Sequence, residues 1–398
     1  MGKDDLCSTG AAGIDYMRIL IAAPAPRERE GGVANVVYNI SEGLQVRGHV
    51  VTCLFAEDVL PRPVAVPRFQ NFYFAWRLAA LVSKRRRDFD VVNIHAPAGF
   101  LYGIKRRLSA GKSLPPYVMF LHGIEERRNH AMSREAKKGR AMFFRPKNRI
   151  WQRLYHMPQY RWSISTADQA VVINRETSIL LQLKYNCDAE RVWYVPNAVE
   201  PRFFCDGEYR EGRALRLLFV GTWLDHKGIY YLRDSFEILA KRVPGLRLTV
   251  AGCRAEVDMV KMFFAPGTRD SVDVIPFVSR LQMPELYLEH DIFVMPSLME
   301  GLPIVLLEAM ATGRPIVATE TCGLMDLIED DYNGLLVKPA DADGLVESIL
   351  RMIDSRELRV RLGQAAQHTA KRHSWQRVAA DLEKVFERAV ANEKGLTK

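Results

Sequence analysis

Two glutamates eight residues apart are the first feature of this chain that invites chemistry. They lie in residues 296–313, PSLMEGLPIVLLEAMATG, where an apolar run ending at Met295 gives way to a helical pattern. Pro303 fits the first helical turn, because its missing N–H is one that no helix pairs there. The amides of Ile304 and Val305 are then unpaired donors at the positive end of a helix dipole, a ready seat for a phosphate. Glu300 falls in the loop just before, and Glu308 about a turn and a half inside the helix. A single carboxylate in such a place is ordinarily a solvated helix residue. Two that bracket an anion site, at the end of a strand where α/β sheets bind ligands, are more than that.

Other residues fall at comparable places. Gly31-Gly32 follows the first apolar run, and consecutive glycines there let backbone amides approach a phosphate closely. The spacing is not GxGxxG, so a dinucleotide site is not indicated. Gly221-Thr222 ends a later strand, and Lys227-Gly228 opens the next helix, where a Lys acts as a point charge toward a diphosphate. His122 closes the run YVMFL, and His95 closes VVNIH one strand earlier; both are expected to face a cleft above the strand ends. Asp88-Phe89-Asp90 and Asp341-Ala342-Asp343 match a metal-binding D-x-D, but such pairs are common and no other ligands converge on them. No GxSxG elbow, Walker loop or HExxH occurs.

The elements that must position these residues alternate along the whole chain. Short runs, apolar on both faces, occur at 17–22, 50–55, 90–94, 117–121 and 170–173, and again at 215–220, 246–251, 272–275, 291–295 and 315–318. Longer amphipathic stretches separate them, the first at 33–47 and the last at 375–391. Strands apolar on both faces, alternating with helices, predict parallel, doubly wound sheets. The pattern pauses over 200–214, EPRFFCDGEYREGRA, so two Rossmann-like α/β domains are predicted, 17–205 and 206–374.

Composition agrees and narrows the class. At 398 residues the chain exceeds the span of one core. A hydrophobic fraction of 48% and a charged fraction of 26% exclude disorder, collagen and coiled coil. No apolar stretch is long enough to span a membrane. The first sixteen residues lack the pattern of a secretory signal and read as an extension or tag ahead of Met17. Six cysteines without CxxC or zinc-finger spacing read as thiols in a reducing cytosol. The net charge of +9 divides unevenly: residues 1–200 carry 30 basic and 18 acidic side chains, and residues 201–398 carry 26 and 29. Much of the surplus lies in 125–161, which holds eleven basic residues, Arg127 and Arg128 among them, three acidic ones and many large aromatics. A nucleic-acid partner is ranked low, since no nucleic-acid motif accompanies the charge.

Together these residues resemble a known family. Glu300 to Glu308 matches the E-x7-E signature of retaining glycosyltransferases of family 4, which have the GT-B fold. The context EGLPIVLLEAMATGRPIVAT is similar too, as are GGVANVVYNISEGLQVRGH, VMFLHGIE, VWYVPNAVEPRF and LLFVGTWLDHKGI, in order. The resemblance implies a metal-independent transferase with no cofactor beyond its nucleotide-diphosphate sugar, UDP- or GDP-linked, acting on a saccharide or lipid-linked acceptor in polysaccharide or glycolipid assembly. It implies that Glu308 holds the ribose, that Glu300 with Leu302 and Pro303 holds the transferred sugar, and that His122 sits beside that sugar. Gly32, Lys227 and the amides of Ile304 and Val305 would cradle the diphosphate, with the base near Phe277 and Val278. The N-terminal domain would bind the acceptor, with His95, Arg127 and Arg128 on that side, and the last helix would cross back onto it. The basic segment then suggests a cytoplasmic enzyme peripheral to an anionic inner membrane face. Three positions depart from the family: Thr222 stands where Arg is usual, Asn197-Ala198 where Asn-Gly is, and Asp326 where Glu is. A catalytically silent GT-B module that binds nucleotide sugar or scaffolds a partner, a sugar-nucleotide epimerase and a phosphorylase are the alternatives on the same fold.

Overall fold

A computed structural model describes residues 16–30, 32–60, 69–109, 114–123, 125–143, 150–205, 207, 215–393 and 395. The N-terminal half builds one sheet from β1 (Arg18–Ala22), β2 (Val50–Leu54), β3 (Val91–His95), β4 (Tyr117–Leu121), β5 (Gln169–Val172) and β6 (Val192–Tyr194). The C-terminal half builds a second from β7 (Arg216–Val220), β8 (Arg247–Ala251), β9 (Val272–Ile275), β10 (Ile292–Met295), β11 (Ile316–Thr319) and β12 (Leu335–Val337). Their orders are β2-β1-β3-β4-β5-β6 and β12-β11-β10-β7-β8-β9, and every pairing is parallel. The two sheets are close variants of one plan: β2 alone lies on the short side of β1, whereas β8 and β9 both lie on that side of β7. Each order reverses direction at its first strand, β1 or β7, the place where an open parallel sheet parts its loops into a crevice.

Every residue of β3 and β4 is buried, as the two-faced apolar runs require. The predicted first helix is Gly32–Val46 and the last is Trp375–Glu393. The last helix packs on the first: a Cβ on Gly43 would meet the Ala379 Cβ at 2.8 Å. Glu383 on that helix takes a hydrogen bond from Arg47 and lies 2.8 Å from His49 Nε2. The chain end therefore belongs to the core of the half in which the chain began. The expected domain boundary falls beside 206 and 208–214, outside the described residues, as do Cys7 and the extension before residue 16. No described helix is long and apolar enough to cross a membrane.

Candidate active site

The carboxyl ends of both sheets face one cleft of about 490 Å³. Its C-terminal wall is the loop from Pro296 to Pro303 and the helix Ile304–Ala311 that follows β10. Pro303 takes the N-cap position, one residue ahead of the expected first turn. The helix begins at Ile304, so the amides of Ile304 and Val305 precede its ladder of internal bonds and border the cleft.

Backbone contact fixes this loop. Gly228 has φ +73°, and a Cβ there would stand 1.9 Å from the Pro296 carbonyl oxygen. A Cβ on Gly301 would stand 2.0 Å from the His122 carbonyl oxygen, and one on Gly323 only 1.7 Å from the Gly301 oxygen. Two side-chain amides of the N-terminal half complete the grip. Asn174 Nδ2 donates to the Gly301 carbonyl at 3.2 Å, and Asn197 Nδ2 donates to that of Leu302 at 2.8 Å. Asp326 also bridges the halves, accepting the Arg175 amide at 2.8 Å.

Both glutamates are buried and paired. Glu300 Oε1 accepts from Lys227 Nζ at 2.8 Å and from Ser297 Oγ at 2.7 Å. Glu308 is 2% exposed. Its Oε2 lies 3.0 Å from the Tyr287 hydroxyl, and its Oε1 lies 3.5 Å from Arg280 Nη2. Burial pushes the Glu308 carboxyl up to about 6, against the opposing pull of Arg280 and Tyr287. Arg280 itself bridges to Glu200.

The opposite wall is uncharged at its centre. His122 Nε2 lies 2.8 Å from His95 Nδ1, and His95 stacks on Phe120 with ring centroids 4.7 Å apart. Burial pulls the His122 imidazole down to about 4 and holds His95 well below its ordinary range, so both are neutral at pH 7. His122 borders the cleft. His95 corrects the expectation that it faces the acceptor: it is 1% exposed and sits behind His122.

Gly32, Thr222, Phe277, Val278 and Leu302 also border the cleft, and a Cβ on Gly32 would meet nothing within 4 Å. Gly31 lies outside the described residues. Arg127 and Arg128 are not among the residues that border this cleft. Arg127 pairs with Glu176, and burial depresses the Arg128 guanidinium. Sequence reasoning missed Tyr287, Arg254, Asn174 and Ser297. Only Asn174 carried a signal, as a helix N-cap that accepts the Thr177 amide at 2.8 Å. The D-x-D aspartates serve the scaffold: Asp88 pairs with Arg85, Asp90 with Arg18, and Asp341 caps a helix through the Gly344 amide.

Part of the basic segment is already docked. The helix Glu125–Lys137 and the turn after it reach across to the helix Ile229–Arg242. Glu135 accepts the Tyr231 hydroxyl at 2.5 Å, Arg140 pairs with Asp234 at 2.9 Å, and the amides of Met142 and Phe143 donate to the Asp225 carboxylate at 3.0 and 2.8 Å. Residues 144–149, with Arg145, Lys147 and Arg149, lie outside the described residues. Nearby, Trp151 stacks on Tyr155 at 4.4 Å and Phe69 meets both edge-on, while Phe72, Tyr73, Trp76, Leu154 and Trp162 are exposed.

Residues 30–203 match the family described as Glycosyltransferase Family 4, and residues 209–369 match that described as Glycosyl transferases group 1. The MMP alpha-(1->4)-mannosyltransferase of Mycolicibacterium hassiacum is 30% identical over 325 residues, covering 80% of this chain and 75% of that protein. Among solved structures, sucrose-phosphate synthase from Thermosynechococcus elongatus superposes with a TM-score of 0.76 at 16% identity, over 95% of this chain and all of that one. Anabaena HepE in complex with UDP-glucose superposes with a TM-score of 0.67 at 16% identity, over 94% and 100%. The similarity to these structures is one of fold.

Proposed function

The chain belongs to glycosyltransferase family 4 and has the GT-B fold, and on that footing we propose that it is a retaining, metal-independent hexosyltransferase. Its donor is a nucleotide-diphosphate sugar and its acceptor a saccharide or lipid-linked saccharide, in polysaccharide or glycolipid assembly. One observation carries the reading: two buried carboxylates, a lysine and a helix N-terminus meet in a single cleft. Carboxylates suit hydroxyls, while amides and ammonium suit phosphates, and a sugar nucleotide presents both. UDP is the first base to test, because a structure of this fold holds UDP-glucose.

In this reading Glu308, ionised, accepts hydrogen bonds from the ribose hydroxyls. The amides of Ile304 and Val305 and the Lys227 ammonium receive the diphosphate, and Phe277 and Val278 flank the base. Glu300 accepts from hydroxyls of the transferred sugar while its bond to Lys227 keeps it aimed. The acceptor oxygen forms a bond to the anomeric carbon as the bond from that carbon to the phosphate oxygen breaks. The acceptor's proton passes to the departing phosphate oxygen on the same face. Charge grows on that phosphate, and the fixed amide dipoles and ammonium oppose it without reorganising. Neutral His122 offers a hydrogen bond to the sugar without adding a cation beside the developing positive charge at the anomeric carbon.

The acceptor enters from the N-terminal half, beside an anionic bilayer that meets the exposed aromatics near Phe69 and Leu154 and the basic side chains around them. A panel of UDP-, GDP-, ADP- and TDP-sugars, scored by nucleoside diphosphate release, tests the reading. Glu308→Ala is expected to abolish donor binding and transfer; unchanged transfer in that variant rejects the assignment.

A further inference from the structure

We propose that Arg254 supplies a second cation, beside Lys227, for the donor's diphosphate, and that it does so by leaving a pairing with Glu28 on the opposite wall. This rests on the donor reading above. Among the described residues, three cations border the cleft: Lys227, Arg254 and Arg280. Lys227 is bonded to Glu300 at 2.8 Å, and Arg280 lies between Glu200 and Glu308. Both are matched by carboxylates before any ligand arrives, and Glu30 adds a further negative charge to the same space. Thr222, at the end of β7, brings a hydroxyl and no charge. An anionic diphosphate placed there meets its surplus positive charge at Arg254.

The geometry of Arg254 fits that task. It stands on the turn after β8, beside Thr222 and Gly252 in the cleft lining, and its amide donates to the Pro276 carbonyl at 3.0 Å. Its φ is +52°, a region that residues with a Cβ avoid and that glycine fills without strain. An arginine kept where glycine is cheaper points to use of its head group. That head group is exposed, and the carboxylate facing it is Glu28 Oε2 at 3.9 Å, beyond hydrogen-bond reach. Glu28 lies on the loop after β1, so the pair spans the two halves and a phosphate competes with it directly.

Calorimetry of the full chain with UDP and with uridine tests the proposal. Arg254→Gly, which suits the backbone, is expected to weaken UDP binding about tenfold or more, the scale of a charge-assisted hydrogen bond, and to leave uridine unchanged. Thr222→Arg in that background is expected to restore UDP affinity by returning a cation to the same space. Glu28→Gln is expected to tighten UDP two- to threefold, as the screened, exposed pair it removes is weak. UDP binding unchanged in Arg254→Gly, or UDP and uridine weakened alike, overturns the proposal. Unchanged affinity in Glu28→Gln overturns its cross-cleft part. A wild-type chain that binds none of UDP, GDP, ADP and TDP removes the donor reading, and this inference with it; a wild-type chain that binds UDP while Arg254→Gly binds it equally removes this inference alone.

Discussion

The two walls of the cleft hold their polar groups in opposite ways. On the C-terminal wall Glu300 and Glu308 are buried as charges, each beside a cation and a hydroxyl. On the N-terminal wall the central pair is two neutral histidines, His95 buried and His122 in front of it at the cleft. Burying a charge is costly unless it is paired, so the first wall spends its local sequence on partners: Ser297, Lys227, Arg280, Tyr287. The second avoids the cost by giving up charge. The contrast teaches that this cleft fixes charge on one wall and leaves the centre of the other uncharged; in the function proposed above, the charged wall is the one that meets the donor.

The contrast breaks most severely at Glu300. Glu300→Gln is expected to lower kcat by about 10²–10³-fold, since it removes a sugar contact and frees Lys227 in one step. If steady-state turnover falls less than about fivefold, the donor wall is not the charged machine described above. Gly301→Ala comes next, because its methyl must displace the His122 carbonyl. A stability loss of about 1–3 kcal/mol with a fall in kcat is expected, seen in thermal unfolding and single-turnover assays.

Acidity sharpens the comparison. Donor KM is expected to rise as pH falls below about 6, because the ionised Glu308 is the binding form, and Glu308→Gln should flatten that limb. Stability moves the other way. A folded pKa raised above the ordinary carboxylate value means the native state holds the extra proton, so the Glu308 contribution grows as pH drops through about 6, by about 2 kcal/mol at most. The histidine wall predicts no limb of its own between pH 5 and 9, since His122 titrates near 4. His95→Phe is expected to lower kcat several-fold without changing donor KM, as it disturbs only the orientation of His122. The smallest effect belongs to the aromatic patch: Trp76→Ser with Leu154→Ser should reduce sedimentation with anionic vesicles at low salt and leave transfer to a soluble acceptor unchanged.

Much of this was legible from residue order. Ten of the twelve strands announce themselves as runs apolar on both faces, because both faces are covered by helices. β6 and β12 did not, being three residues long, too short for a periodic pattern. Glu300, Lys227 and His122 were readable because each lies in the stretch that follows a strand end, and Glu308 because it lies in the helix that follows β10. Tyr287 was not: within MPELYLEH it looks like a core aromatic, and only the fold turns its hydroxyl toward Glu308. The partner of Arg127 was not legible, because a long side chain follows the nearest carboxylate, here Glu176, and not the segment's net charge. The net charge of the basic stretch did not show that Asp225, Asp234 and Tyr231 of the other half hold part of it.

The glycine contacts at 228, 301 and 323 have a further consequence. Main chain rests on main chain from Pro296 to His122, with no side chain between to swell or shrink. The width of the cleft at the loop from Pro296 to Pro303 is therefore set by backbone atoms that substitution elsewhere does not alter. Residues such as Thr222 and Phe277 border the cleft without taking part in these contacts, so replacing them alters what the cleft meets and not the distance between its walls. New specificity then arrives without a new frame.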